Sequence, residues 1–131
     1  MQKEQFIHID EYGDKRYFAD REMTILHRED GPAIEWSSGS RAWYLNGERH
    51  REDGPAVEYA DDSKEWYLNG KLHREDGPAI EDPDGYKSWY LNGKELTEAE
   101  FNARMNPVTE LTLDEIASKF GVNVSKLKIK K

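Results

Sequence analysis

Residues 1–96 predict a mainly β fold, an antiparallel meander of repeated ~23-residue hairpin units, and residues 97–131 predict a small α-helical C-terminal cap with a basic tail. Three observations carry this expectation. The strings WYLNG and HREDGPA recur in one register, with His27, His50 and His73, Gly31, Gly54 and Gly77, and Trp43, Trp66 and Trp89 each 23 residues apart. Asn-Gly and Asp-Gly-Pro turns punctuate every unit. After Leu96 the turn signals give way to helix-capping patterns. A 23-residue unit is too short to bury a core alone, so each must pack against its neighbours.

Met1 to Leu26 form an irregular opening unit. Gly13-Asp14-Lys15-Arg16-Tyr17-Phe18 aligns with Gly39-Ser40-Arg41-Ala42-Trp43-Tyr44 at an offset of 26, three more than the period. Phe6 to Ile9 provide its first strand, and ADREMT replaces the tight Asn-Gly turn of later units. In the regular unit, Pro32 to Trp36 is a strand, Ser37 to Ser40 a loop and Arg41 to Leu45 a second strand. Asn46-Gly47 then turns the chain, because a type I′ turn needs positive φ at both central positions. Pro32, Pro55 and Pro78 suit first strand residues, since proline cannot donate a ladder hydrogen bond. Period-2 alternation sets Trp43 and Leu45 opposite Tyr44. The expected core is therefore a ladder of Ile34, Trp43 and Leu45, then Val57, Trp66 and Leu68, then Ile80, Trp89 and Leu91. Thr97-Glu98-Ala99-Glu100 reads as a capping box opening a helix in which Phe101 and Met105 close the sheet, and Asn106-Pro107 ends it. Leu113 to Phe120 reads as a second helix, and Lys126 to Lys131 as an edge strand or basic tail.

Composition narrows the function classes. Hydrophobic content is 36%, yet four Trp, seven Tyr and four Phe recur at fixed offsets, which favours a thin sheet with large rings over disorder. The absence of cysteine removes thiol nucleophiles, disulfides and Cys-based metal sites. No run reaches the ~20 apolar residues of a membrane span, and MQKEQFIHIDEYG lacks the regions of a signal peptide, so a cytoplasmic location is expected, in the host cytoplasm if viral. Net charge is −8, and residues 97–131 hold 6 basic and 5 acidic side chains, which leaves 13 and 22 for residues 1–96. The acidity sits in the repeats, so direct nucleic-acid binding, which draws on displaced phosphate counterions, is not expected.

His27-Arg28-Glu29-Asp30-Gly31-Pro32-Ala33, recurring at His50 and His73 and coupled to Trp-Tyr-Leu-Asn-Gly, resembles the W-x-x-N-G-x-x-H-R-x-D-G-P-A hairpin repeats of phage and large-virus proteins. It is distantly similar to MORN-type repeats, from which its glycine spacing departs. The resemblance covers about Gly13 to Leu96 and implies the hairpin fold and a viral setting, with no catalytic residue carried over. Leu113 to Val122 resembles the first helix and turn of a helix-turn-helix, but only ten residues follow Gly121, too few for a recognition helix.

Three sets of side chains are candidate sites. The histidines recur in equal copies at least one strand spacing apart, which does not suit a shared metal, and each is expected to hydrogen-bond within its own turn to Asp30, Asp53 or Asp76. The Arg28-Glu29-Asp30, Arg51-Glu52-Asp53 and Arg74-Glu75-Asp76 triplets read as structural ion pairs. The expected partner surface comprises Glu35, Tyr44, Glu58, Tyr59, Asp61, Asp62, Tyr67, Glu81, Asp82, Asp84 and Tyr90. No cofactor or metal and no enzymatic activity are expected. The functional expectation is a phage-type accessory protein that binds and modulates or inhibits a host or defence protein, with self-association through the C-terminal segment. Three alternatives stand beside it: a DNA mimic blocking a nuclease or other DNA-binding enzyme, a virion structural or assembly protein, and a small hydrolase using repeat His and Asp.

Overall fold

The computed structural model describes residues 4–106. The second helix, the Lys126 to Lys131 segment and the self-association assigned to it lie outside the described residues. Within them the chain is mainly β, with antiparallel strands in a meander-like sheet and a C-terminal helix.

The opening unit is the hairpin β1 (Phe6–Ile9) and β2 (Lys15–Phe18). The ADREMT insertion is closed by Asp20, whose carboxylate accepts the backbone N–H groups of Thr24 and Ile25 at 2.9 Å and also the Thr24 hydroxyl. Each regular unit then makes two hairpins. The first joins the main sheet: β3 (Ile34–Glu35) with β4 (Arg41–Ala42), then β7 (Val57–Glu58) with β8 (Lys64–Glu65), then β11 (Ile80–Glu81) with β12 (Lys87–Leu91). The second is a short Asn-Gly hairpin, β5 (Tyr44–Leu45) with β6 (Glu48–Arg49), and β9 (Tyr67–Leu68) with β10 (Lys71–Leu72). With β13 (Lys94–Leu96), the nine-stranded sheet runs β1-β2-β3-β4-β7-β8-β11-β12-β13 and leaves those short hairpins as a separate row. The expected antiparallel meander of hairpin units is present, with the Asn-Gly hairpins set beside the main sheet.

Trp43 is the corner between the rows. Its N–H donates to Ala56 O at 2.7 Å in the sheet, and its carbonyl accepts from His50 N at 3.0 Å in the short hairpin. Trp66 repeats this with Ala79 and His73. In the last unit β12 runs unbroken and pairs β13 (Lys94–Leu96) directly.

Asn46, Asn69 and Asn92 have φ near +50°, and the glycine after each has φ near +80°, as the I′ turn requires. The sheet hairpins use another turn. Residue pairs 10 and 14, 36 and 40, 59 and 63, and 82 and 86 close three-residue loops whose last position has positive φ. That position is Gly13, Gly39 or Gly85 in three loops and Asp62, at φ 73°, in the fourth.

The core differs from the predicted ladder. Ile34, Ala42 and Val57 form its centre, with Leu26, Trp36, Tyr44 and Tyr67 packed against it. Alternation therefore holds, but Tyr44 and Tyr67 are on the core side, while Trp43 and Leu45, with Trp66 and Leu68, are half-buried on the other. Ala33, Ala56 and Ala79, each just before a sheet strand, have no exposed surface, so a larger side chain there would have to displace its neighbours.

Helix α1 (Glu98–Met105) closes the far end. Glu100 N donates to Thr97 Oγ1 at 3.1 Å and Thr97 N to Glu100 Oε1 at 2.9 Å, the expected capping box, and the helix ends at Asn106. Phe101 is buried with Leu91 and Leu96, and Trp89 and Met105 pack around them.

Candidate binding face

The HREDGPA turn is built around its arginine. Arg51 Nε donates to Asp53 Oδ1 at 2.9 Å and Nη1 to Pro55 O at 3.1 Å, while the guanidinium lies 3.9 Å from the centre of the Trp43 ring. Arg74 does the same with Asp76, Pro78 and Trp66, and Arg28 with Asp30, Pro32 and Tyr17. Each turn thereby covers the ring of the preceding unit with a cation, which explains how Trp43 and Trp66 persist outside the core. A Cβ at Gly54 would stand 3.0 Å from Arg51 Cζ, so a larger residue there would have to shift the guanidinium by a few tenths of an ångström. The hydrogen bond and then the charge of each arginine hold its aspartate below the usual carboxylate range: Arg28 for Asp30, Arg51 for Asp53 and Arg74 for Asp76.

The histidines bond outside their own turns. Nδ1 of His27, His50 and His73 accepts the backbone N–H of Asn46, Asn69 and Asn92 respectively, each at 2.9 Å, so every imidazole ties its unit to the next Asn-Gly hairpin. The aspartate expected as partner is already held by arginine. An accepting Nδ1 puts the ring proton on Nε2, which faces Glu29, Glu52 or Glu75 at 3.5, 3.7 and 3.9 Å. Among the described residues no cluster of His, Asp or Glu is arranged to hold a metal ion, and no helix is long and apolar enough to cross a membrane.

The predicted partner residues fall into three environments. Glu35, Glu58 and Glu81 are half-buried and face arginines: Glu58 meets Arg41 at 2.7 Å and Arg51 at 3.5 Å, Glu81 meets Arg74 at 3.2 Å, and Glu35 meets Arg28 at 3.8 Å. Tyr44, Tyr67 and Tyr90 are half-buried and form no exposed aromatic row. Arg49 donates to the Tyr44 and Tyr67 hydroxyls at 3.2 Å, and Tyr67 donates to Glu65 at 3.2 Å. Burial, followed by the charge of Glu65, pushes the Tyr67 phenol upward. Tyr59, Asp61, Asp62 and Asp84 are exposed at the tips of the sheet hairpins, alongside Tyr12 and Tyr86, while Asp82 is half-buried at the base of its loop. Asp61 and Asp84 also shape those tips, accepting Ser63 N at 2.9 Å and Tyr86 N at 3.0 Å.

A second acidic face lies on the HREDG turns. Between the turns at Arg28 and Arg51 runs an open groove of about 710 Å³, floored by Trp43 and Leu45 and rimmed by Glu29, Asp30, Glu52 and Asp53. The next, about 520 Å³, repeats it with Trp66 and Leu68 beneath Glu52, Asp53, Glu75 and Asp76. A third, about 400 Å³, is reshaped by the helix and lies among Trp89, Leu96, Glu95, Glu98, Glu100 and Lys87. Each of the first two sets four carboxylates against two arginines, and the third sets three against one lysine, so all three carry net −2. These turn carboxylates were expected to be spent in ion pairs, yet Glu29, Glu52 and Glu75 are 63, 84 and 72% exposed. The sequence signal for them is the Asp-Gly-Pro turn that follows, which puts the preceding glutamate on a surface. No family model, curated protein or solved structure matches the chain.

Proposed function

We propose that the chain is a phage-type accessory protein that binds a host or defence protein and modulates or inhibits it through its acidic, aromatic repeat surface. The observation that carries this reading is the row of grooves, two of them repeats and the third reshaped by the helix, each with an apolar floor and the same net negative charge. Apolar contact surrounded by charge suits a basic protein surface, with the floor giving affinity and the rim giving encounter rate and specificity. Glu29, Glu52 and Glu75 have no arginine to satisfy and add to the acidic rim. Tyr59, Asp61, Asp62 and Asp84 at the hairpin tips extend the surface.

Two features favour binding over catalysis. The first two grooves are copies, so neither supplies the pair of differently tuned groups that general acid–base chemistry uses. Each imidazole has its acceptor nitrogen engaged and presents a proton at Nε2, where a general base would need a free lone pair. Guanidiniums between the carboxylates interrupt any phosphate-like stripe, which ranks a protein partner ahead of DNA mimicry.

Affinity capture from infected or host cells, at low and moderate salt and with duplex DNA as competitor, tests this. A stoichiometric protein partner insensitive to DNA is expected. A partner released by duplex DNA would replace the reading with mimicry, and no specific partner in any condition would refute both.

A further inference from the structure

Resting on that reading, we infer that the grooves take an extended basic peptide laid along the repeat axis, with a lysine or arginine at every third residue. The repeat spacing supplies the argument. Successive units contribute two neighbouring strands each to the main sheet, so equivalent grooves stand about 9–10 Å apart, two strand spacings of ~4.8 Å. One polyproline II turn, three residues at ~3.1 Å each, covers the same distance and returns every third side chain to one face, whereas the side chains of a β-extended chain alternate faces. Two extended residues cover about 6.6 Å and four about 13 Å, and both lose register within one groove. An α-helix returns a side chain to the same face after about 10.5 Å, an excess that accumulates over three grooves.

The chemistry of each groove fits one such side chain. The methylene stem of a lysine or arginine lies on Trp43 and Leu45, or on Trp66 and Leu68, while its cationic head reaches the rim carboxylates. Arg51 and Arg74 already cover one side of Trp43 and Trp66, so the stem meets the part of each ring that still lines the groove beside Leu45 or Leu68. Glu29, Glu52 and Glu75, one per unit, pair among the described residues only with the histidine Nε2 of their own turn, at 3.5, 3.7 and 3.9 Å, and stay 63, 84 and 72% exposed.

Fluorescence anisotropy on the full chain tests the spacing, using labelled peptides that carry three lysines in one neutral background. The lysines are placed at every second, third, fourth or seventh residue. The third-residue peptide is expected to bind about tenfold more tightly than the others at equal net charge, and raising salt from about 50 to about 300 mM is expected to weaken it. The triple variant Glu29→Lys, Glu52→Lys, Glu75→Lys leaves every Arg–Asp pair in place and is expected to lose at least about tenfold, whereas Glu22→Lys on the exposed ADREMT loop leaves affinity within about twofold. Equal affinity for all spacings would overturn the register while leaving the acidic surface standing. Preference for the seventh-residue peptide would replace the extended ligand with a helix. No binding of any peptide, with capture of the cellular partner unchanged in the triple variant, would refute the groove face itself.

Discussion

Arg51→Ala should cost about 2–3 kcal/mol, because the side chain does several jobs at one joint. Its bond to the Pro55 carbonyl, from a charged donor that is 22% exposed, accounts for about 1–2 kcal/mol. Its stacking at 3.9 Å on the half-buried Trp43 ring adds about 1 kcal/mol. Against a total stability of about 5–15 kcal/mol, and a urea dependence of about 1–3 kcal/mol per molar, the midpoint should fall by about 1 M or more. Arg51→Lys keeps the charge but not the planar fork that serves Asp53 and Pro55 together, and should lose about half as much. The decisive measurement is a double-mutant cycle of Arg51→Ala with Trp43→Leu, for which a coupling of about 1 kcal/mol is expected. Coupling below about 0.3 kcal/mol would show that the arginine does not hold the ring, and the account of the outer face would fail.

Three further outcomes follow from the same geometry. His50→Ala removes the acceptor for Asn69 N–H and should destabilise by about 1 kcal/mol in a urea melt, with loss of hydrogen-exchange protection confined to the Asn69 turn; protection lost equally throughout would refute a local tie. Asp62→Gly relieves a non-glycine residue at φ 73° and should stabilise by about 0.5–1 kcal/mol, whereas a lower melting midpoint would show that the aspartate contributes more than its strain costs. Asp30, Asp53 and Asp76 have folded pKa values below their unfolded ones, so their contribution is complete above the unfolded value of about 3.9 and is lost as pH falls through the folded pKa. Melting temperature should accordingly fall more steeply below about pH 4 in the parent than in a triple Asp→Asn variant, and parallel curves would contradict the linkage.

Much of the fold was legible locally. Asn-Gly and Asp-Gly-Pro turns specify their own backbone, and the capping box at Thr97 needs only the four residues that form it. Alternation also gave the correct parity at Trp43, Tyr44 and Leu45, but parity does not say which side is the core. The missed sign was Ala42, almost wholly buried beside Ile34 and Val57, where a close-packed sheet leaves no room for an indole. The predicted core ring instead lies under Arg51, eight residues along the chain, and His50 reaches Asn69 nineteen residues ahead. Contacts of that separation depend on how consecutive hairpins stack, which no single unit encodes. The exposed carboxylates differ from those expected for the same reason: Glu58 found Arg41 and Arg51, while Glu52 was left facing water.

The imidazole tie also bears on how such a chain changes over generations. Every side chain of the HREDGPA segment reaches only its own unit or an adjacent one, and the joint from His50 to Asn69 is a copy of the joint from His27 to Asn46. Nothing in that joint counts how many units precede or follow it. Duplication or loss of a 23-residue stretch by recombination therefore leaves both neighbours with the same handshake, and lengthens or shortens the outer face by one step without a compensating change elsewhere. Reach becomes a heritable quantity, adjustable by whole units, while the chemistry of each step stays fixed.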